Sequence, residues 1–290
     1  MHAQRALLPG DRWHFQHGPI DIVIGAEGDA VAVAQAHEAA WRRFETVLTE
    51  LVAELPTLRS PLRGPCALRG VIARRMWQAC RPYHPAFITP MAAVAGSVAQ
   101  ELIACYERGG VHRAWVNNGG DIALHLAPGA SVRVGLFADL ARLDPDDIHT
   151  DGQFKLHADL PVRGIATSGW RGRSFSLGIA DSVTVLARTA AQADAAATVI
   201  ANAVNVDDAR ITRRPANQIQ DNTDLGEMLV TVDVPTLDPT TIRRALQAGQ
   251  HRARALRREG LIHAALLVCQ GQWLRVEAEA QHAELGSVFA

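Results

Sequence analysis

The residues best placed to do chemistry lie in the stretch "TAAQADAAATVIANAV", Thr189–Val204, where nearly every other side chain is small and apolar. Asp194 and Thr198 are spaced i, i+4 and therefore share one helical face. Asn202 and Asn205 continue that stripe. A carboxylate inside an apolar helix face is costly unless something pairs with it. It calls for a cation, for hydrogen-bond donors or for a metal. One carboxylate plus one hydroxyl is a donor set for Mg²⁺, which takes its remaining ligands from water and phosphates. The plain alternative is an aspartate that docks its helix onto a neighbour.

Two further groups could serve a ligand. "VNNGGDIAL", Val116–Leu124, sets Asn117, Asn118, Gly119, Gly120 and Asp121 in an unbroken run between apolar flanks. Asn-Gly is a hairpin signal, and glycine also lets a backbone approach a ligand closely. "ATSGW" places Thr167, Ser168 and Gly169 together, offering hydroxyls beside a flexible backbone. A turn with local Ser/Thr hydrogen bonds is the alternative there. Ser168 lacks the G-x-S-x-G context of a nucleophile. In "TPMAAVAGSVA" the face Ala92, Ala93, Ala95, Gly96, Ala99 is small enough for close approach, and the helix start offers N–H groups to an anion. Close packing explains that face equally well.

The elements that must position these groups follow from pattern. "GPIDIVIGAEGD" alternates like a strand, and a helix is expected from Ala30 to about Leu55. A second helix is expected from about Cys66 to Cys80. A third starts at Thr89 as N-cap with Pro90 at its first position, and ends at Gly109. Strands are expected at 114–117, 122–126 and 132–137, in "GIATSGW", in "DSVTVLA" and in "MLVTVDV". The helix after Thr189 opens with a capping box, Thr189 with Gln192. Asp238–Arg258 reads as a basic amphipathic helix, and a closing hairpin turns at Gln270–Gly271. Strands alternate with helices, so the fold class is α/β or α+β. One domain over 1–290 is expected, with an exposed excursion near 139–157.

Composition narrows the function classes. The chain has 290 residues, 48% of them hydrophobic, which suffices for a sizeable core. Its 29 basic residues balance 30 acidic ones, which argues against nucleic-acid or anionic-membrane partners. Lysine is limited to Lys155, an arginine bias that reflects base composition more than chemistry. Cys66, Cys80, Cys105 and Cys269 have no metal-ligand spacing and read as reduced thiols. With no apolar leader, a cytoplasmic location is expected.

Taken jointly, "FITPMAAVAGSVA", "VNNGGDIAL", "TSG", "DSVTVLA" running into "ADAAAT", and "DLGEMLVTV" resemble the ApbE superfamily, and more closely a separate ApbE-like branch. The likeness spans roughly Phe44 to Gln270. It implies a single ApbE-like domain of mixed sheets packed with helices. The superfamily's Mg²⁺-dependent enzymes cleave FAD and attach FMN to a threonine of an acceptor protein. By this resemblance Asp194 and Thr198 are the metal ligands, Gly119, Gly120 and Asp121 line the flavin nucleotide site with Asn117 and Asn118, and Thr167, Ser168 and Gly169 lie beside it. FAD or FMN is the implied ligand and an acceptor protein the implied partner, with a homodimer left open.

The pattern departs from transferring members in two places. Only "WRGRSFSLGIA" stands between Gly169 and Asp181, where they carry a histidine-bearing segment. Val94-Ala95-Gly96 replaces their Ala-Lys-Gly. Nucleotide binding is thus expected without efficient transfer, and a non-catalytic binding or assembly protein on the same fold is the alternative. His84, in "RPYHPAF", is an imidazole that could serve from elsewhere or simply be structural.

Overall fold

A computed structural model describes residues 2–136 and 152–277. Its described residues form two compact, interleaved units: residues 2–132 with 157–166 and 187–195, and residues 133–136 and 152–156 with 167–186 and 196–277.

In the first unit the strands run in the order β1-β2-β3-β4-β5-β8, with β1 at Gln4–Leu8, β2 at Arg12–His17, β3 at Ile20–Gly28, β4 at Val111–Asn118, β5 at Asp121–Leu126 and β8 at Gly164–Ser168. Neighbours from β1 to β8 pair antiparallel. Alternation decides which face is buried: Ile22 and Ile24 of β3 and Ala114 and Val116 of β4 are fully or almost fully enclosed. Helix α1, Ala30–Ala53, starts where the Asp29 carboxylate accepts the N–H groups of Val31 and Ala32. It buries Ala36, Ala40, Phe44, Val47 and Leu51, spaced to form one stripe. A short α2 (Leu55–Leu58), then α3 (Val71–Cys80) and α4 (Val94–Ile103) complete the helices before the β4–β5 hairpin. Glu101 of α4 lies between Arg43 of α1 and Arg75 of α3, 2.8 Å from each, tying three helices together.

In the second unit β9 (Ser182–Ala187), β12 (Ala264–Cys269) and β13 (Gln272–Val276) lie side by side, antiparallel. Every residue of β9 is buried. The β12–β13 hairpin turns at Gln270 and Gly271, both at positive φ, as expected. Helix α6, Pro239–Arg258, is capped by Asp238, which accepts from Thr241 N–H. Two-stranded sheets pair β6 (Ser131–Leu136) with β7 (Gly152–His157), and β10 (Thr212–Pro215) with β11 (Leu229–Asp233).

Several boundaries differ from the sequence reading. The helix expected from Cys66 starts only at Val71, because the Glu54 carboxylate holds the N–H groups of Arg69 and Gly70 just before it. The helix expected from Thr89 to Gly109 divides into a 3-10 turn at Pro90–Ala93, then α4, then a second 3-10 turn at Ala104–Tyr106. Thr89 makes no side-chain cap. Of the excursion expected near 139–157, residues 139–151 lie outside the described residues, and the remainder is β7, whose Phe154 and Leu156 are buried.

Candidate functional site

Helix α5, Ala190–Ala203, carries the candidate metal ligands, and its start is built as its sequence suggests. Thr189 Oγ1 accepts the Gln192 N–H at 3.3 Å, one half of the capping box. Two glycines let other backbone reach this helix end. A Cβ on Gly96 would lie 2.3 Å from the Ala190 carbonyl oxygen, and one on Gly164 would lie 2.2 Å from that of Thr189. The small-residue face of "AAVAGSVA" is therefore a packing surface for α5.

Within that contact Asp194 Oδ2 accepts the Gly96 N–H at 2.8 Å, with a further backbone hydrogen bond from Ala95. These are the second and third positions of α4, whose N-cap residue, Ala93, has no side-chain acceptor. The helix start read from sequence as an anion site lies at Thr89; the N–H groups that hold a carboxylate are those of Ala95 and Gly96, at the start of α4, and the carboxylate is the chain's own. Burial pushes the Asp194 carboxyl up to about 7, and the two N–H groups oppose the shift. Asn118 joins the same place: its Nδ2 donates to the Ala95 carbonyl at 3.1 Å. Asp194 and the small-residue face of "AAVAGSVA", together with one asparagine of the "VNNGGD" run, are one cluster around residues 95 and 96.

The rest of that run is a hairpin turn. Gly119 and Gly120 both have positive φ and form the two-residue connection between β4 and β5, with Asn118 paired to Asp121. Asn117 Oδ1 accepts the Gly120 N–H at 2.8 Å. A Cβ on Gly120 would meet nothing within 4 Å, so its glycine is required by conformation and not by a packed neighbour.

Thr167, Ser168, Gly169 and Thr198 fall in the second unit. Thr167 Oγ1 lies 2.9 Å from Thr184 Oγ1. Gly169 presses on the strand entry, where a Cβ would come within 2.2 Å of the Asp181 carbonyl oxygen. Thr198 is half-buried on α5. The asparagines read as a continuation of the Asp194 stripe have structural work: Asn202 Oδ1 accepts from Leu177 N–H at 2.9 Å and from Ser176 Oγ at 3.2 Å, while Asn205 Nδ2 donates to the Leu177 carbonyl at 2.9 Å. His84 is exposed.

Asp194 and Thr198 each offer an oxygen donor, the ligand type a hard cation takes, and the part-buried Asp194 carboxylate is bound by N–H groups. Among the described residues no cluster of three or more His, Cys, Asp or Glu could hold a metal by itself, so any ion here would complete its shell with water or ligand oxygens.

Sequence reasoning did not single out His37. It lines a groove of about 540 Å³ in the first unit with Leu7, Trp13, Val33 and Glu38, none of them a predicted site residue. Its Nδ1 lies 2.7 Å from the buried Tyr106 hydroxyl. Burial holds the imidazole below its usual pKa, against the pull of Glu38. Its place on the apolar stripe of α1 was the available signal.

The four cysteines are free thiols, and among the described residues no helix is long and apolar enough to cross a membrane. The family model described as "AbpE bacteria" matches residues 5–275. A UPF0280 protein of Methanopyrus kandleri is 34% identical over 208 residues, covering 70% of this chain and 78% of the relative. A UPF0280 protein of Methanoregula boonei is 31% identical, covering 67% of this chain and 92% of the relative. The matches to UPF0280 proteins of Methanospirillum hungatei and Methanothermobacter thermautotrophicus span about half of those relatives, 47% and 49%. Among solved structures, the ApbE protein of Thermotoga maritima aligns at 13% identity and a TM-score of 0.48, covering 94% of this chain and 97% of that one. The Pseudomonas stutzeri flavinyl transferase ApbE aligns at 14% and 0.46, covering 96% and 94%. At those scores the structural likeness carries no argument about the site.

Proposed function

The chain belongs to the family described as AbpE bacteria, and from that premise we propose that it binds a flavin nucleotide with Mg²⁺ in the manner of the ApbE proteins it resembles. The observation that carries the reading is Asp194, a part-buried carboxylate in an alanine-rich helix with backbone N–H groups as its partners. An anchor alone could be built from a neutral asparagine, whereas a carboxyl that can ionise when Mg²⁺ arrives suits a cation.

In this proposal Asp194 and Thr198 hold the Mg²⁺, which when bound neutralises phosphate charge. Asn117, Asn118, Gly119, Gly120 and Asp121 border the nucleotide, and Thr167, Ser168 and Gly169 contribute hydroxyl and backbone donors. The chain's own part is binding and orientation. It lacks the histidine of the segment after the threonine-serine-glycine turn, and Ala95 replaces a lysine, so transfer of FMN to a protein threonine is slow or absent. Losing an acid–base group lowers rates by about 10²–10⁴-fold. The non-catalytic alternative, a binding or assembly protein, is favoured by the same two replacements.

Two measurements test this. Purified protein with FAD and Mg²⁺ should show saturable binding and little FMN or AMP release. Co-expression with an ApbE acceptor domain, in a host lacking its own transferase, should give no strongly fluorescent acceptor band. A bright band that disappears in Asp194→Ala would establish transfer, and a wild type that binds no flavin would end the reading.

A further inference from the structure

The buried stripe of α1 carries one polar side chain, His37, which is 7% exposed. Its Nδ1 lies 2.7 Å from the hydroxyl of Tyr106, a fully buried residue. Among the described residues that imidazole is the hydroxyl's hydrogen-bond partner, so the phenol O–H donates to Nδ1 or goes unpaired. Burial pushes the Tyr106 pKa up and the His37 pKa down, so the phenol keeps its proton and the imidazole is neutral. The tautomer that satisfies both groups therefore carries its one N–H at Nε2. No hydrogen bond from a described residue reaches that nitrogen. With Nδ1 turned to Tyr106, the opposite edge of the ring is the part that lines the groove of about 540 Å³.

That groove lies between the β1–β2 hairpin, the end of β3 and the start of α1. Leu7, Trp13 and Val33 give it apolar walls, and Asp11, Glu27 and Glu38 give it carboxylates, with no lysine or arginine in the lining. Arg5 holds Glu38 and Arg113 holds Glu27, each at 2.6 Å, which leaves three carboxylates to two cations. Such a lining repels an anion. The N–H of His37 in turn rejects a ligand that brings only donors, because facing donors leave each other unpaired at a cost of about 1–3 kcal/mol. We infer that the groove binds a small uncharged molecule with a planar apolar body and a carbonyl oxygen, the oxygen accepting from His37 Nε2–H and the body lying against Trp13. Its volume is within the roughly 300–1,000 Å³ of small-molecule sites. Tyr106 is the positioning residue, since it fixes which imidazole nitrogen carries the hydrogen. The inference goes beyond the flavin-nucleotide reading and shares no residue with it.

The test uses three probes of one size: benzamide, which offers a carbonyl oxygen; benzamidine, a cation with donors only; and benzoate, an anion. Saturation-transfer NMR titrations of the full chain should show saturable benzamide binding, with the other two weaker by roughly tenfold. His37→Phe keeps a ring and removes the donor, so benzamide should weaken by about tenfold and lose its advantage over benzamidine. Should that variant misfold, Tyr106→Phe carries the test. Without the phenol O–H the imidazole hydrogen is no longer held on Nε2, and the preference for benzamide over benzamidine should narrow by about threefold or more. A role in folding alone would weaken all three probes by one common factor and leave the preference as it was. That result, a wild type that binds no benzamide, or one that binds benzoate or benzamidine as tightly as benzamide would overturn the inference.

Discussion

The carboxylate of Asp194 accepts the backbone N–H of Gly96, 98 residues earlier in the chain, at 2.8 Å and so caps the start of α4. A helix start leaves its first N–H groups without internal partners, and a side-chain acceptor there is worth about 1 kcal/mol. The residue one would look to, Ala93, has none to give.

Asp194→Asn separates the cap from the charge, since the amide oxygen can still accept from Gly96. The folded carboxyl titrates near 7 against an ordinary 3.8, so folding favours its protonated form. Its contribution is fully present below about pH 4 and is lost as pH rises towards 7, by at most about 1.4 kcal/mol per pH unit. Denaturant titrations without metal should show that decline in wild type and a flatter profile in the variant. Mg²⁺ needs the ionised form. Its stabilising effect should therefore grow with pH through 7 in wild type and be missing in Asp194→Asn. An identical Mg²⁺ response in both would remove Asp194 from the metal site.

Gly96→Ala asks how closely α4 and α5 meet. The added Cβ would face the Ala190 carbonyl oxygen at 2.3 Å and its carbon at 2.7 Å, both backbone atoms that cannot rotate away. A loss of about 1–3 kcal/mol in urea unfolding is expected, together with weaker Mg²⁺ response because Asp194 is displaced. Stability within 0.5 kcal/mol of wild type, on the scale of a plain surface change (~0.5 kcal/mol), would mean that the two helices can part at little cost.

Glu101→Gln tests the ion network of the first unit. Burial alone would push the Glu101 carboxyl up, but hydrogen bonds from Arg43 and Arg75 outweigh it and hold it below its ordinary 4.5. A depressed folded pKa gives stability that is present above 4.5 and fades as pH falls through the folded value. The variant should therefore lose most relative to wild type at neutral pH, by about 1–3 kcal/mol, with the gap narrowing below pH 4. A gap independent of pH would assign the effect to packing.

Asn202→Ala should behave as a structural change only. Removing Oδ1 leaves the Leu177 N–H and Ser176 hydroxyl without that acceptor, which costs about 1–3 kcal/mol. Flavin affinity at saturating Mg²⁺ should stay within twofold, measured well below the unfolding midpoint. A tenfold loss of affinity would return Asn202 to the ligand site.

The elements were legible wherever the chain carries its own punctuation. Asp29 and Asp238 cap α1 and α6, Thr189 starts α5, and Gln270–Gly271 turns the last hairpin. β1 and β2 were missed because their exposed residues give no clean alternation: β1 is exposed at four of five positions. At the site, spacing correctly set Asp194 inside an apolar helix, but spacing cannot say what faces a stripe. Asp194 meets Gly96, while Asn202, further along the same helix, and Asn205, two residues past its end, meet the loop at Leu177. Those partners are remote in sequence, so no local pattern encodes them. The small face around Gly96 carried the other half of the Asp194 signal, and only the fold joins the two.

The interleaving of the two units has a consequence for how the chain comes off the ribosome. The first unit receives its last strip, Ala187–Ala195, only after the chain has already contributed two segments to the second. A nascent chain stalled at residue 180 would hold every strand of the β1–β5 meander and its helices, yet it would lack Asp194 and the start of α5 against which Gly96 and Gly164 close. Its hairpins can form as they emerge, since they join neighbours in sequence, but the cap on α4 must wait for residue 194 of 290. Protease resistance of ribosome-bound chains of increasing length should therefore rise in a late step, once residues 187–195 have cleared the exit tunnel, rather than in proportion to the number of strands made.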